Sequence, residues 1–150
     1  MPLSKALIDQ VRQRAQHRCE YCHYPELLST APLSIDHIQP RSMGGDDKLQ
    51  NLALACRRCN ERRYNFIRGI DLESGAEVAL YNPRQDVWPD HFVWSQDGLR
   101  LVGVSPIGRA TCQRLDLNDE RRSDKFIQKS RQQWVISGLH PPKGDPIQNL

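Results

Sequence analysis

The sequence predicts an α+β fold, and three observations predict it. Two Cys-x2-Cys pairs, Cys19/Cys22 and Cys56/Cys59, bracket residues 23–55, a 33-residue insert. Within the insert lie two short strand-like stretches, residues 33–38 and 52–55. A basic stretch of helical composition follows from Cys56 to about Phe66, so the whole reads as a ββα unit. In the second half, Asp97-Gly98 sits between apolar runs as a hairpin signal, and two helical stretches come after it. The expected organisation is a ββα unit in residues 1–70 and a hairpin-and-helix extension in residues 71–150 packed on it, one domain overall.

Each element has its own warrant. Ser4 is a cap for a helix running to about residue 17, with Leu7, Ile8, Val11 and Ala15 as its apolar stripe. Residues 33–38 alternate as a strand does, and Pro40 closes the run. A polar loop from Ser42 to Gln50 contains Gly44-Gly45, and Leu52-Ala53-Leu54-Ala55 reads as the second strand. The Asp97-Gly98 turn, taken as a two-residue hairpin, sets Trp94 opposite Leu101 and Val93 opposite Val102. Residues 108–117 and 119–137 read as two helices with Asn118 as a cap between them. The segment Pro141 to Pro146 reads as extended or frayed.

Composition narrows the class. Apolar residues are 38% of the chain, below the usual share of about 45–50%, so something besides burial is expected to help hold the fold. Charged residues are 26%, which argues against wholesale disorder. The net charge of +3 is uneven: residues 1–70 carry 11 Lys/Arg against 7 Asp/Glu, and residues 71–150 carry 10 against 11. No signal peptide or membrane span is read, so the expected compartment is the reducing cytoplasm, where paired cysteines usually mean metal.

A tight Cys-x2-Cys turn lets two thiolates reach one ion at about 2.3 Å, and two such turns complete the closed tetrahedral shell of a structural zinc. Four ligands of one kind leave no position for a substrate. Three rivals stand beside zinc. Cys19-x2-Cys22-His23 matches a haem-attachment motif, but leaves the second pair unexplained. A thioredoxin-like pair needs a βαβ context that is absent. Buried, unliganded cysteines are the plainest reading. Cys112 reads as a small core residue.

The string Cys19-x2-Cys22 … Asp36-His37-Ile38-x-Pro40-x-Ser42-x-Gly44-Gly45 … Asn51-Leu52 … Cys56-x2-Cys59-Asn60 closely resembles the HNH endonucleases with two zinc knuckles, over about residues 15–65. The resemblance implies a ββα-metal (HNH) nuclease unit stapled by a four-cysteine zinc site, with DNA, expected double-stranded, as partner and no small-molecule cofactor, and it leaves strand preference open. Phosphodiester hydrolysis needs a nucleophile and charge relief on the phosphate and the leaving oxygen. A hard divalent ion, Mg2+ or Mn2+, supplies the second. Asp36 and Asn60 offer oxygen ligands for it. His37, with an ordinary histidine pKa near 6.5, is the natural general base. The resemblance makes His37 the residue that activates water, gives Asn51 the bracing of the loop, and implies 5′-phosphate and 3′-hydroxyl ends. Asn60 stands where many relatives have histidine. Adjacent residues of a regular strand face opposite sides, so Asp36 and His37 share a site only where the strand ends or distorts. Helical rotation of about 100° separates Asn60 from Cys59, so one helix can serve two ions.

Arg41, Arg57, Arg58, Arg62 and Arg63 are the expected phosphate contacts, with Arg68 nearby. For Arg57 and Arg58 the alternative is that they offset thiolate charge. Tyr64, Trp88, Trp94 and Trp134 read as core aromatics rather than as a binding surface. Two rival functions remain: a non-catalytic zinc-stabilised nucleic-acid-binding module, and a zinc-stabilised protein-interaction module.

Overall fold

A computed structural model describes residues 2–143. Ser4 accepts the Leu7 amide at 3.2 Å and caps helix α1 (Lys5–Arg14), which buries Val11. The helix ends short of residue 17 because Gln16 and His17 adopt φ of 53° and 56°, turning the chain toward Cys19.

Strands β1 (Ser34–His37) and β2 (Leu52–Ala55) pair antiparallel, with Asp36 opposite Ala53 and His37 opposite Leu52. All four residues of β2 are fully buried. Helix α2 (Arg57–Arg63) follows at once and completes the expected ββα unit. It stops before Phe66 because Tyr64 leaves the helical region at φ 48°, ψ −123°.

The second half departs further from expectation. A hairpin of β3 (Arg68–Ile70) and β4 (Glu77–Ala79), unforeseen in the sequence, packs on helix α3 (Pro106–Leu115). Strands β5 (Phe92–Trp94) and β6 (Leu101–Gly103) have the expected register, Trp94 with Leu101 and Val93 with Val102. Their turn is longer than two residues: the Gly98 amide donates to the Ser95 carbonyl, with Gly98 at φ 76°. Ser105 caps α3 two residues ahead of the expected start.

Helix α4 (Phe126–Ile136) begins seven residues later than expected. In the intervening stretch, Asp116 accepts the Glu120 and Arg121 amides, and Asp119 accepts that of Ile127, so side chains capture the donors a helix would need. Asn118 is no helix cap. Its amide accepts from the Leu101 N–H and donates to the Leu101 carbonyl, each at 2.8 Å, imitating a strand neighbour of β6. Residues 144–146 of the expected extended segment lie outside the described residues.

One cluster of buried side chains runs through both halves, from Val11 and Leu54 to Phe92 and Leu115, with Cys112 packed against it. The Trp88 indole donates to the Tyr21 carbonyl at 3.0 Å, and Arg84 pairs with buried Glu20. Among the described residues no helix is long and apolar enough to cross a membrane.

Candidate metal centres and active cleft

The ββα unit has a closed end and an open side. At the closed end, the sulfurs of Cys19, Cys22, Cys56 and Cys59 all lie within 4.8 Å of one another, and none of the four residues is more than 2% exposed. Cys22 and Cys56 Sγ are 3.7 Å apart. A tetrahedron with metal–sulfur bonds of about 2.3 Å has edges of about 3.8 Å, so the quartet has the size of a structural zinc shell. Each knuckle turns its backbone toward its first sulfur: the Cys22 amide donates to Cys19 Sγ at 3.5 Å and the Cys59 amide to Cys56 Sγ at 3.4 Å. Burial holds the Cys19 thiol well above its ordinary value, and hydrogen bonding within the quartet lifts Cys59 as well. Bonds from the other three cysteines hold Cys22 well below its ordinary value. Four packed thiols ionise together only with a cation among them, and the donor set fits zinc.

The open side is a cleft of about 420 Å³ lined by Asp36, His37, Arg41, Ser42, Asn60, Glu61 and Tyr64. Asp36 and His37 both line it because β1 ends at His37. Asp36 is only 4% exposed. Its Oδ2 accepts from the Tyr21 hydroxyl at 2.7 Å and from Arg63 at 3.0 Å, while Oδ1 has the weaker Arg63 contact at 3.2 Å. Burial raises its pKa, against the pull of Arg63. His37 Nε2 is 2.8 Å from Asp47 Oδ1. Hydrogen bonds from His37 and Arg41 hold the Asp47 carboxyl below its ordinary value, so it is an ionised acceptor and Nε2 carries the proton. Asn60 lies next to buried Cys59 on α2 and lines the cleft, so neighbouring positions of one helix serve the quartet and the cleft.

Asn51 ties down the loop over this cleft. Its Oδ1 accepts the Gln39 amide at 2.8 Å, and its Nδ2 donates to the Gln39 carbonyl at 3.0 Å and the Asp46 carbonyl at 2.8 Å. Gly45 packs beneath the same loop, where a Cβ would stand 1.7 Å from the Gln39 carbonyl oxygen. Only glycine permits that approach.

The basic cluster divides. Arg63 is 2% exposed, and its guanidinium holds Asp36, the His37 carbonyl and the Ile38 carbonyl. That geometry corrects the expectation that Arg63 grips phosphate: it is an internal strut. Arg58 pairs with Asp119 at 2.6 Å, and the Cys22 and Cys59 charges help raise its pKa against the cost of burial. Arg62 donates to the Asp116 carbonyl at 2.7 Å and pairs with Asp119 at 2.9 Å. Both are paired with the second half of the chain and remain partly exposed. Arg57 stays exposed beside Glu61, and half-exposed Arg41 reaches Asp47 at the cleft rim.

Trp88 and Trp134 are buried, as expected of core aromatics, whereas Tyr64 is 68% exposed, contrary to that expectation. Three participants were not identified from sequence: Tyr21, Asp47 and the inward role of Arg63. Tyr21 at least stands inside the first knuckle; no spacing signal marks the other two.

A family model described as HNH endonuclease matches residues 19–66, from the first cysteine of the quartet to just past α2. No curated protein and no solved structure gives a significant match.

Proposed function

We propose, from the match of residues 19–66 to the HNH endonuclease family model, that the chain hydrolyses DNA phosphodiester bonds. The observation that carries the reading is the His37–Asp47 pair in a cleft shared with Asp36 and Asn60. Asp47 fixes the Nε2–H tautomer of His37, leaving Nδ1 to take a proton from water. The water oxygen then attacks phosphorus in line, and the 3′-oxygen departs. Asp36 and Asn60 offer hard oxygen donors, with Asp36 Oδ1 the less engaged of its two oxygens. This donor set fits Mg2+ or Mn2+, which when bound would supply charge relief to the phosphate and the leaving oxygen. Arg63 and Tyr21 orient the Asp36 carboxylate, Asn51 braces the loop, and Arg41 and Arg57 offer exposed charge to flanking phosphates. The quartet takes no part in the chemistry and holds α2 against β1 and β2.

The test is plasmid cleavage with Mg2+ or Mn2+ and with EDTA, together with elemental analysis. Cleavage that requires the divalent ion, in protein holding one zinc per chain, is expected. One observation favours a second reading: Asp36 has a structural use in pairing with Arg63 and Tyr21. A non-catalytic zinc-stabilised nucleic-acid-binding module therefore predicts DNA binding without cleavage under any ion.

A further inference from the structure

Tyr64 occupies a backbone position that favours glycine. The Phe66 amide donates to the Arg63 carbonyl at 2.9 Å, closing a four-residue turn. Tyr64 is the second residue of that turn at φ 48°, ψ −123°, the type II′ geometry in which glycine normally stands. A large side chain is kept there although it is 68% exposed. Tyr64 lines the same cleft as Asp36, His37 and Asn60. Behind it stands Phe66, with ring centroids 6.5 Å apart, and Phe66 is in turn covered by the Arg114 guanidinium 3.3 Å from its centroid. The result is an exposed aromatic pair whose first member, Tyr64, lines the cleft together with half-exposed Arg41.

We propose that Tyr64 is a base-stacking platform that seats an unstacked nucleobase of DNA next to the scissile phosphate, so that the cleft takes single-stranded or locally opened DNA in preference to intact duplex. The proposal rests on the nuclease reading for the position of the cut, while the stacking itself is independent of turnover. A tyrosine face accepts any base, so the contact selects strand state rather than sequence. The exposed arginines hold the backbone, and the ring holds the base.

The experiment uses the full zinc-loaded chain and a single-stranded oligonucleotide containing 2-aminopurine, with binding read in EDTA at concentrations that leave the zinc in place. Cleavage is read separately in Mg2+ on single-stranded and duplex substrates. The unaltered chain is expected to quench the fluorophore and to cut the single strand faster. Tyr64→Leu should weaken single-strand binding roughly 5- to 150-fold and raise KM more than it lowers kcat. Tyr64→Phe should restore quenching and affinity to within about twofold. Tyr64→Gly separates binding from folding: it should lose quenching as Tyr64→Leu does, with an unfolding midpoint no lower than that of the unaltered chain. Unchanged affinity and quenching in Tyr64→Leu would overturn the proposal, as would a Tyr64→Gly variant that binds normally. Tyr64-dependent quenching in a chain that cuts no DNA would support the stacking platform and remove the nuclease reading instead.

Discussion

The cysteine quartet and the cleft lie on one ββα unit, yet they are built on opposite principles. At the quartet every side chain is buried, each knuckle donates a backbone amide to its own first sulfur, and the four sulfurs all lie within 4.8 Å of one another. At the cleft, Asn60 and His37 face an open volume, and order comes from groups behind them: Arg63 and Tyr21 behind Asp36, Asp47 behind His37, Asn51 behind the loop. A metal in the quartet would staple one end of α2, and the cleft would then be free to stay open without holding the fold. Changes at the quartet should therefore act on stability, and changes at the cleft on reaction.

Removing the ion at the quartet is the severest break. Structural zinc in small domains contributes on the order of 10 kcal/mol. Chelation, or Cys59→Ser, should abolish cooperative unfolding, measured by circular dichroism and by loss of zinc in elemental analysis. A chain that stays folded without metal would show that the core alone suffices.

Arg63→Ala comes next and tests the boundary between the two regions. It leaves Asp36 buried without its cation, for which a loss of about 3–5 kcal/mol is expected in urea denaturation. Arg63→Lys should recover little of it, because one ammonium cannot reach Asp36 and the His37 and Ile38 carbonyls as a single planar fork does.

Asp47→Asn should belong wholly to the cleft. Asp47 is exposed, so stability should hold, while the lost orientation of His37 should slow cleavage roughly 10- to 100-fold. A large fall in the unfolding midpoint instead would move Asp47 to the structural side.

The smallest effect lies away from both regions. His140 donates from Nε2 to the Gly98 carbonyl at 2.9 Å, and burial lowers its pKa to about 4. A histidine held neutral in the fold and titrating near 6.5 when unfolded contributes stability above pH 6.5 that is lost as pH falls toward 4. About 1–2 kcal/mol is expected after allowance for partial solvent screening, and His140→Gln should lack that part of the acid sensitivity.

Legibility in the sequence followed the same division. Ser4, the two knuckles, β1, β2 and α2 could be read because their signals are local: a cap, a spacing, an alternation. The register of β5 and β6 could be read from Asp97-Gly98, although the turn itself is longer. The hairpin of β3 and β4 could not, because Arg68, Ile70, Glu77 and Ala79 are all exposed and show no buried alternation. The late start of α4 was hidden because Asn118 and Asp119 use their side chains on distant partners, Leu101, Arg58 and Arg62, while Asp116 captures the nearby Glu120 and Arg121 amides. The arginines misled for a related reason. Sequence counts their charge, but burial and partners decide which of them face outward. Tyr64 was read as core because nothing local shows that α2 ends one residue before it.

Cleavage by His37→Ala, measured beside the unaltered chain in protein freed of contaminating nuclease, decides whether His37 is the base. Mg2+- or Mn2+-dependent cleavage should fall by at least about 100-fold, with zinc content and unfolding midpoint unchanged. Cleavage by His37→Ala at the rate of the unaltered chain would contradict that role.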